Sequence, residues 1–178
     1  AVPINLAKKT IPELIKEVKD ISEIHQWDYT ILKNKFPVGI QRSQDMDDSL
    51  YGIVLVPPES EPIQLSFLST GELCSLWAMK FYREDKNQDL LKQSISVKTQ
   101  YAGPQIHKLV IHLLDYLSNK YFSDFKLLDE AQYWETRNEE LLNNKFNDLM
   151  DSFEEQLIAN DLLPDESFEM YILRISKN

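Results

Sequence analysis

The amino-acid sequence predicts a single α+β domain over residues 1–178, in which three amphipathic helices cover a mixed sheet. Apolar residues recur at three- and four-residue steps in three long segments, which is the period of a helix packed on a core. Short runs rich in β-branched and aromatic residues lie between these segments, and Pro or Gly separates them, as is typical of strands. A length of 178 residues fits one domain of ordinary size.

The first predicted helix begins at Thr10. Thr10 and Glu13 match the capping-box pattern, and Pro12 would lie in the first turn, where its missing N–H group costs nothing. Six apolar residues at helical spacing then predict about four turns: Ile11, Leu14, Ile15, Val18, Ile21 and Ile24. The run WDYTILKNKF follows, and we interpret it as a strand that ends at Pro37.

An antiparallel meander is predicted from Tyr51 onward. YGIVLV stops at a Pro-Pro pair, IQLSFL follows Pro62, and ELCSLWAMKFY follows a turn at residues 69–71. Short Pro or Gly turns between three β-rich runs favour antiparallel neighbours. Cys74 lies in the third run, and we interpret it as a small core residue and not as a nucleophile. The charged segment REDKNQD, residues 83–89, is predicted as a turn.

The second half of the chain alternates predicted strands and helices. SISVKTQY and DFKLLD are predicted as strands on either side of a helix that opens at Gly103 and reaches about Tyr121. Thr136 and Glu139 match a second capping box, and FEMYILRI is predicted as a final strand. The helix between them carries an apolar stripe: Leu142, Phe146, Leu149, Met150, Phe153 and Leu157. This order permits parallel pairing of the last three strands through right-handed crossovers.

The charge of the chain is uneven. The net charge is −10, and between Asp129 and Glu169 there are 13 acidic residues against Arg137 and Lys145, a local balance of −11. That segment would repel a polyanion, so we predict neither nucleic acid nor a membrane as a partner. A basic protein surface suits it better. The simpler interpretation is an acidic solvated face that only aids solubility.

Several kinds of site are not expected from the motif content. A single cysteine excludes an intrachain disulfide and a multi-cysteine metal site, and it favours a reducing compartment such as the cytoplasm. The aspartates in residues 41–50 lack EF-hand spacing, so that segment is predicted as a surface loop. Nucleotide-binding and metalloprotease motifs do not occur, and we predict no metal and no cofactor. No apolar run reaches the ~18 residues of a membrane span, and charged residues interrupt the N-terminal run, so we expect no secretory signal there.

One candidate ligand site is predicted, at a rim where two of the predicted strands end. In an open sheet with parallel strands, ligands bind outside the C-terminal ends of the strands. If SISVKTQY and DFKLLD are parallel neighbours, we expect carboxylates, a lysine, a histidine and aromatic rings to converge there. The simpler interpretation is a polar joint whose residues 135–140 cap a helix. Nine residues form this candidate rim: Lys98, Thr99, Gln100, Tyr101, His107, Asp129, Glu130, Tyr133 and Trp134.

Two functional hypotheses follow. The leading one is a non-catalytic binding or regulatory protein of the cytoplasm, such as an immunity or antitoxin protein, whose acidic C-terminal third meets a basic protein. The alternative is a small enzyme that uses Asp129 or Glu130 with His107 for acid–base chemistry on a polar metabolite. A converged carboxylate–histidine pair in a pocket would favour the enzyme, and carboxylates fanned over an open surface would favour the binding protein. Neither hypothesis fixes an oligomeric state.

Overall fold

The structure is a computed structural model that describes residues 4–33, 49–85, 95–159, 166, 170 and 174, with the backbone alone described at 4–8, 82–83, 85 and 154–159. The described residues form five helices and one three-stranded antiparallel sheet, so the fold belongs to the α+β class, as predicted. The chain divides into two compact units, Ala1–Leu128 and Asp129–Asn178.

The first unit contains the sheet and three helices. Helix α1 (Ile4–His25) leads into strands β1 (Asp28–Ile31), β2 (Tyr51–Val56) and β3 (Ile63–Phe67), which lie in the order β1-β2-β3 with antiparallel neighbours. Helices α2 (Leu76–Asp85) and α3 (Gly103–Tyr121) follow. An antiparallel meander is therefore present, and its first strand comes from the WDYTIL run.

A single apolar core holds α1, the sheet and α3 together. The alternation along β2 directs Ile53 and Leu55 into this core, and the helical spacing of α1 directs Leu14 and Val18 into it. All four side chains are 0% exposed. At about 1.5–3 kcal/mol for each fully buried aliphatic side chain, this core dominates the stability of the unit.

Helix α1 differs from the prediction at both ends. It begins at Ile4, so Thr10 lies inside the helix, the capping-box assignment is wrong and Pro12 is an interior residue. Residues 4–9 contain Leu, Ala and two Lys, which extend the helix readily. It ends in a Schellman motif at Gln26, which has φ 57°. Gln26 and Trp27 donate their N–H groups to the last-turn carbonyls, and Ile24, expected in the core, is 76% exposed.

The third predicted strand of the meander is wrong, because most of ELCSLWAMKFY forms helix α2. Ser75 supplies the cap that the sequence pattern did not reveal. Its Oγ accepts the N–H of Ala78 at 3.0 Å, and its carbonyl accepts the N–H of Met79. Only Leu73 and Cys74, before the cap, make β-type contacts with β3. The predicted charged turn begins inside this helix, and its residues 86–89 lie outside the described part of the chain.

The predicted strands of the second half are also wrong wherever the structure describes them. Residues 95–99 and 125–129 have no regular structure, and Met170 and Arg174 are helical. Lys98 exchanges hydrogen bonds with Glu61 alone, once through the backbone and once through the Glu61 carboxylate, so no ladder propagates. The proposed parallel pairing is therefore not present among the described residues. The loop at residues 41–48 and the strand end at Pro37 lie outside them.

The second unit contains a single-turn helix, α4 (Tyr133–Thr136), and a long helix, α5 (Glu139–Ala159). The cap of α5 is Asn138, not Thr136, because Asn138 Oδ1 accepts the N–H of Leu141 at 3.0 Å. Of the predicted stripe, Leu142 and Phe146 are buried, Leu149 and Phe153 are half-buried, and Met150 is 50% exposed. The side chain of Leu157 lies outside the part of the chain whose side chains are described. None of the described helices is long and apolar enough to cross a bilayer.

Candidate functional site

The candidate rim has one part in each unit, and the part in the first unit centres on His107. Thr99 Oγ1 and His107 Nδ1 lie 2.7 Å apart and share a hydrogen bond. The turn that precedes α3 positions this pair, since Ala102 donates its N–H to the carbonyl of Thr99. Both residues are buried, at 9% and 7% exposure. His107 therefore lies on the inner side of α3, where its ring is held by a neighbouring hydroxyl.

The other three predicted residues of this part are more exposed than the pair. The Lys98 side chain is exposed, Gln100 is half-buried, and Tyr101 is 60% exposed. The backbone of Lys98 bonds to Glu61, so the segment is tied to the β2–β3 loop. In this part, the structure brings Thr99 and His107 together in one hydrogen bond.

Asp129 organises the part of the rim in the second unit. Its Oδ1 accepts the N–H of Ala131 and its Oδ2 accepts the N–H of Trp134, each at 2.9 Å. The residue is 7% exposed, so both carboxylate oxygens serve the backbone in a largely buried position. The neighbouring Glu130 is exposed, and its carbonyl accepts a hydrogen bond from the Lys145 ammonium at 3.0 Å.

Arg137 completes a compact polar joint over residues 129–138. Its guanidinium lies 5.0 Å from the ring centroid of Trp134 and 6.0 Å from that of Tyr133, which is buried. Gln132 and Arg137 flank α4 in the left-handed region, with φ of 62° and 53°. Thr136 Oγ1 donates to the carbonyl of Gln132 and accepts the N–H of Asn138. These contacts assign a structural role to residues that the sequence placed at a ligand rim.

A feature that the sequence reasoning missed is a polar face along α5. The charge count placed the acidic residues in residues 129–169 but did not assign them to one side of the helix. Five exposed residues lie opposite the buried Leu142 and Phe146 and contain no cation: Glu140, Asn144, Asn147, Asp148 and Asp151. None of the three carboxylates forms an ion pair with another residue in the described part of the chain. We call these five residues the acidic face of α5.

Glu17 forms a second polar cluster that had no sequence signal, because its partners are about 100 positions away. Its carboxylate accepts hydrogen bonds from Tyr116 and Tyr121 and from the Lys120 ammonium at 2.7 and 2.8 Å. Burial raises the pKa of Glu17, but these three donors and the Lys120 charge outweigh it and hold the pKa below its usual value. Burial and the Glu17 carboxylate together raise the pKa of Tyr121 to about 12. The cluster ties α1 to α3.

An open groove of about 470 Å³ lies beside this cluster, along the outer side of α3. Its lining residues are His112, Asp115, Tyr116, Asn119 and Lys120. The Lys120 ammonium already donates to both Glu17 oxygens and to the Tyr116 hydroxyl. The ammonium of Lys120 in the groove is therefore already hydrogen-bonded to groups of the protein itself.

Cys74 is a core residue, as predicted. It is 0% exposed, and its thiol donates to the carbonyl of Ser75 at 3.5 Å. Burial, reinforced by the nearby Glu72 charge, raises the pKa of the thiol to about 11, so it is protonated at neutral pH. Across the described ranges, no group of three His, Cys, Asp or Glu residues is arranged to hold a metal ion.

Comparison with known proteins gives no relative from which a function can be transferred. The chain matches no protein-family model, no curated protein and no solved structure.

Proposed function

We propose that the chain is a non-catalytic binding or regulatory protein of the cytoplasm whose acidic segment, Asp129–Glu169, meets a basic protein partner. The observation that carries this proposal is the acidic face of α5, where three carboxylates and two amides lie on the side opposite the buried stripe. Carboxylates spread along one helix face present an open negative surface and not a pocket.

Exposed carboxylates on a helix face contribute more to the recognition of a partner than to the stability of the fold. An exposed ion pair contributes only about 0–1 kcal/mol, so the carboxylates of α5 have little to gain from pairing within the chain. Complementary charges on a partner act together, raise the association rate and disfavour partners of like charge. The amides of Asn144 and Asn147 add donors and acceptors between the charges.

The catalytic alternative has less support. An acid–base carboxylate must be available to a substrate, whereas both Asp129 oxygens accept backbone N–H groups. Glu130 is exposed on a surface where water and salt screen its charge. His107 is held by Thr99 in a buried position. Asp129 and His107 thus make structural hydrogen bonds, and Glu130 is a solvated surface residue.

The test compares two neutralised variants that change the net charge equally. One removes the acidic face through Glu140→Gln, Asp148→Asn and Asp151→Asn. The matched control removes three exposed carboxylates of the first unit through Asp20→Asn, Asp28→Asn and Glu59→Gln. Proteins retained from a cytosolic extract on the immobilised chain are identified, and the Kd of each is measured by calorimetry between ~0.05 and ~0.5 M salt.

The expected partner is basic, and its affinity falls at least about tenfold in the α5 variant but changes little in the control. Rising salt should weaken the wild-type complex because it screens the carboxylates. Equal affinity of the two variants, or an affinity independent of salt, would show that the −11 balance serves solubility alone. Retention of no basic protein would lead to the same conclusion.

A further inference from the structure

Helix α2 exposes large apolar side chains although its opposite face is already packed. Ala78 and Met79 are 0% and 1% exposed, whereas Leu76, Trp77 and Phe81 are 41%, 62% and 47% exposed. An exposed tryptophan beside two further apolar side chains on one short helix is typical of an interaction surface. We call Leu76, Trp77, Lys80, Phe81 and Glu84 the α2 face.

This face is held firmly on the sheet. Leu76 donates its N–H to Oε1 of Gln64 on β3 at 3.2 Å, and the Ser75 hydroxyl caps the first turn. A surface that is fixed before binding loses less conformational entropy when a partner docks. The α2 face is therefore presented in a defined orientation.

The charges of the α2 face are opposite and lie one helical turn apart. Lys80 and Glu84 form no ion pair with each other or with another described residue. The Lys80 ammonium instead lies 5.3 Å from the ring centroid of Trp77. An ion pair with Lys on the N-terminal side of Glu is the less favourable order within a helix. Both charges thus remain available to a partner.

A second copy of this chain satisfies both charges at once. When two α2 helices pack antiparallel about a twofold axis beside residue 82, Lys80 of each copy lies opposite Glu84 of the other. The two Phe81 rings are then offset by about 3 Å along the helices, close to the axis, at a rise of 1.5 Å per residue. A strongly acidic or strongly basic partner would match only one of the two charges.

We propose that the α2 face is the isologous contact of a homodimer, with Phe81 at its centre, Lys80–Glu84 pairs on both sides, and Leu76 and Trp77 at its ends. Each pair occurs twice because the symmetry repeats every contact. This dimer uses the first unit and is independent of the acidic face of α5.

Sedimentation equilibrium of the full chain across about two decades of concentration tests the dimer, with Lys80→Glu, Glu84→Lys and the double exchange as variants. Either single change turns two attractions into two repulsions and should raise the dimer Kd about tenfold. The double exchange restores opposite charges and should return the Kd close to that of the wild type.

The matched control is the exposed Lys9–Glu13 pair on α1, which has the same i, i+4 spacing and lies apart from the α2 face. Lys9→Glu and Glu13→Lys should leave the dimer Kd unchanged, and circular dichroism should show every variant folded. A wild-type chain that stays monomeric at all concentrations would overturn the proposal and leave the face to another partner. A dimer that responds equally to charge changes on α1 and α2 would also overturn it.

Discussion

At the scale of single residues, Gly52 is fixed by the backbone of the neighbouring strand. It lies in β2 at φ +135°, and a Cβ at this position would lie 2.0 Å from the carbonyl oxygen of Leu65. The obstacle is backbone in the same sheet, so no side chain can move aside to relieve it.

We therefore expect Gly52→Ala to destabilise the first unit by about 4 kcal/mol or more, measured by urea unfolding. Gly103→Ala is the matched control, because Gly103 also has a positive φ, +76°, but nothing lies within 4 Å of its Cβ position. That change should cost only the strain of the backbone, about 1–2 kcal/mol. Equal costs for the two variants would contradict the steric argument.

Asp129 and Glu130 are adjacent carboxylates in different surroundings. Asp129 is buried and accepts two backbone N–H groups, whereas Glu130 is exposed. Asp129→Ala should cost about 1–3 kcal/mol, because two N–H groups lose their acceptor. Hydrogen exchange at the amides of Ala131 and Trp134 should accelerate in that variant.

Glu130→Gln should change stability by no more than about 0.5 kcal/mol, as is usual for an exposed position. If Asp129→Ala left the two amides as protected as in the wild type, the capping role would be wrong. A large loss of stability in Glu130→Gln would place that carboxylate in the structure of the joint as well.

At the scale of elements, α1 and α3 are joined by the Glu17 cluster as well as by apolar packing. Tyr116, Lys120 and Tyr121 come from the last two turns of α3, and all three donate to the one carboxylate on α1. Tyr121 is also buried in the shared core, so the polar and apolar contacts of the two helices reinforce each other.

The cluster predicts a pH dependence with a definite sign. The pKa of Glu17 in the folded chain lies below its usual value of 4.5 because its donors outweigh the cost of burial. A lowered pKa means that the contribution to stability is complete well above pH 4.5 and is lost as the pH falls through the folded pKa. We expect the Tm difference between wild type and Glu17→Gln to be largest near neutral pH and to shrink in acid.

Glu13→Gln is the control for this comparison. Glu13 is also on α1, but its contact with Lys9 is long, 3.9 Å, and exposed. Its Tm difference from the wild type should be small at every pH. If the Tm difference between wild type and Glu17→Gln stayed constant down to strongly acidic pH, the charge of the carboxylate would have no role in joining the helices.

At the scale of the whole molecule, the two apolar clusters found among the described residues lie entirely within Ala1–Leu128. We expect the fragment 1–128 to unfold cooperatively in urea when it is expressed alone, since the residues of these clusters are all present. Full-length protein is the reference for the amplitude and midpoint of the transition. A fragment without a cooperative transition would support the single-domain interpretation of the sequence instead.

The sequence by itself determined the features that depend on local patterns. Alternating apolar residues predicted β2 and β3, and three-to-four spacing predicted α3 from Gly103 to Tyr121 and the body of α1. The charge balance of residues 129–169 also followed from composition alone. These properties depend on neighbours within a few positions, which the sequence displays directly.

Tertiary structure alone decided which short apolar runs became strands. ELCSLWAMKFY has strand-like composition, but the burial of Ala78 and Met79 stabilises a helix. In SISVKTQY, the N–H of Lys98 donates to the carboxylate of Glu61, whereas a strand would need a backbone carbonyl at that place. The contacts of the Glu17 cluster and of the Asp129 oxygens could likewise not be predicted from the sequence, because their geometry depends on the folded structure. The intrinsic helix or strand propensity of a short run is small compared with the free energy of its tertiary contacts, so packing determined the structure of these runs.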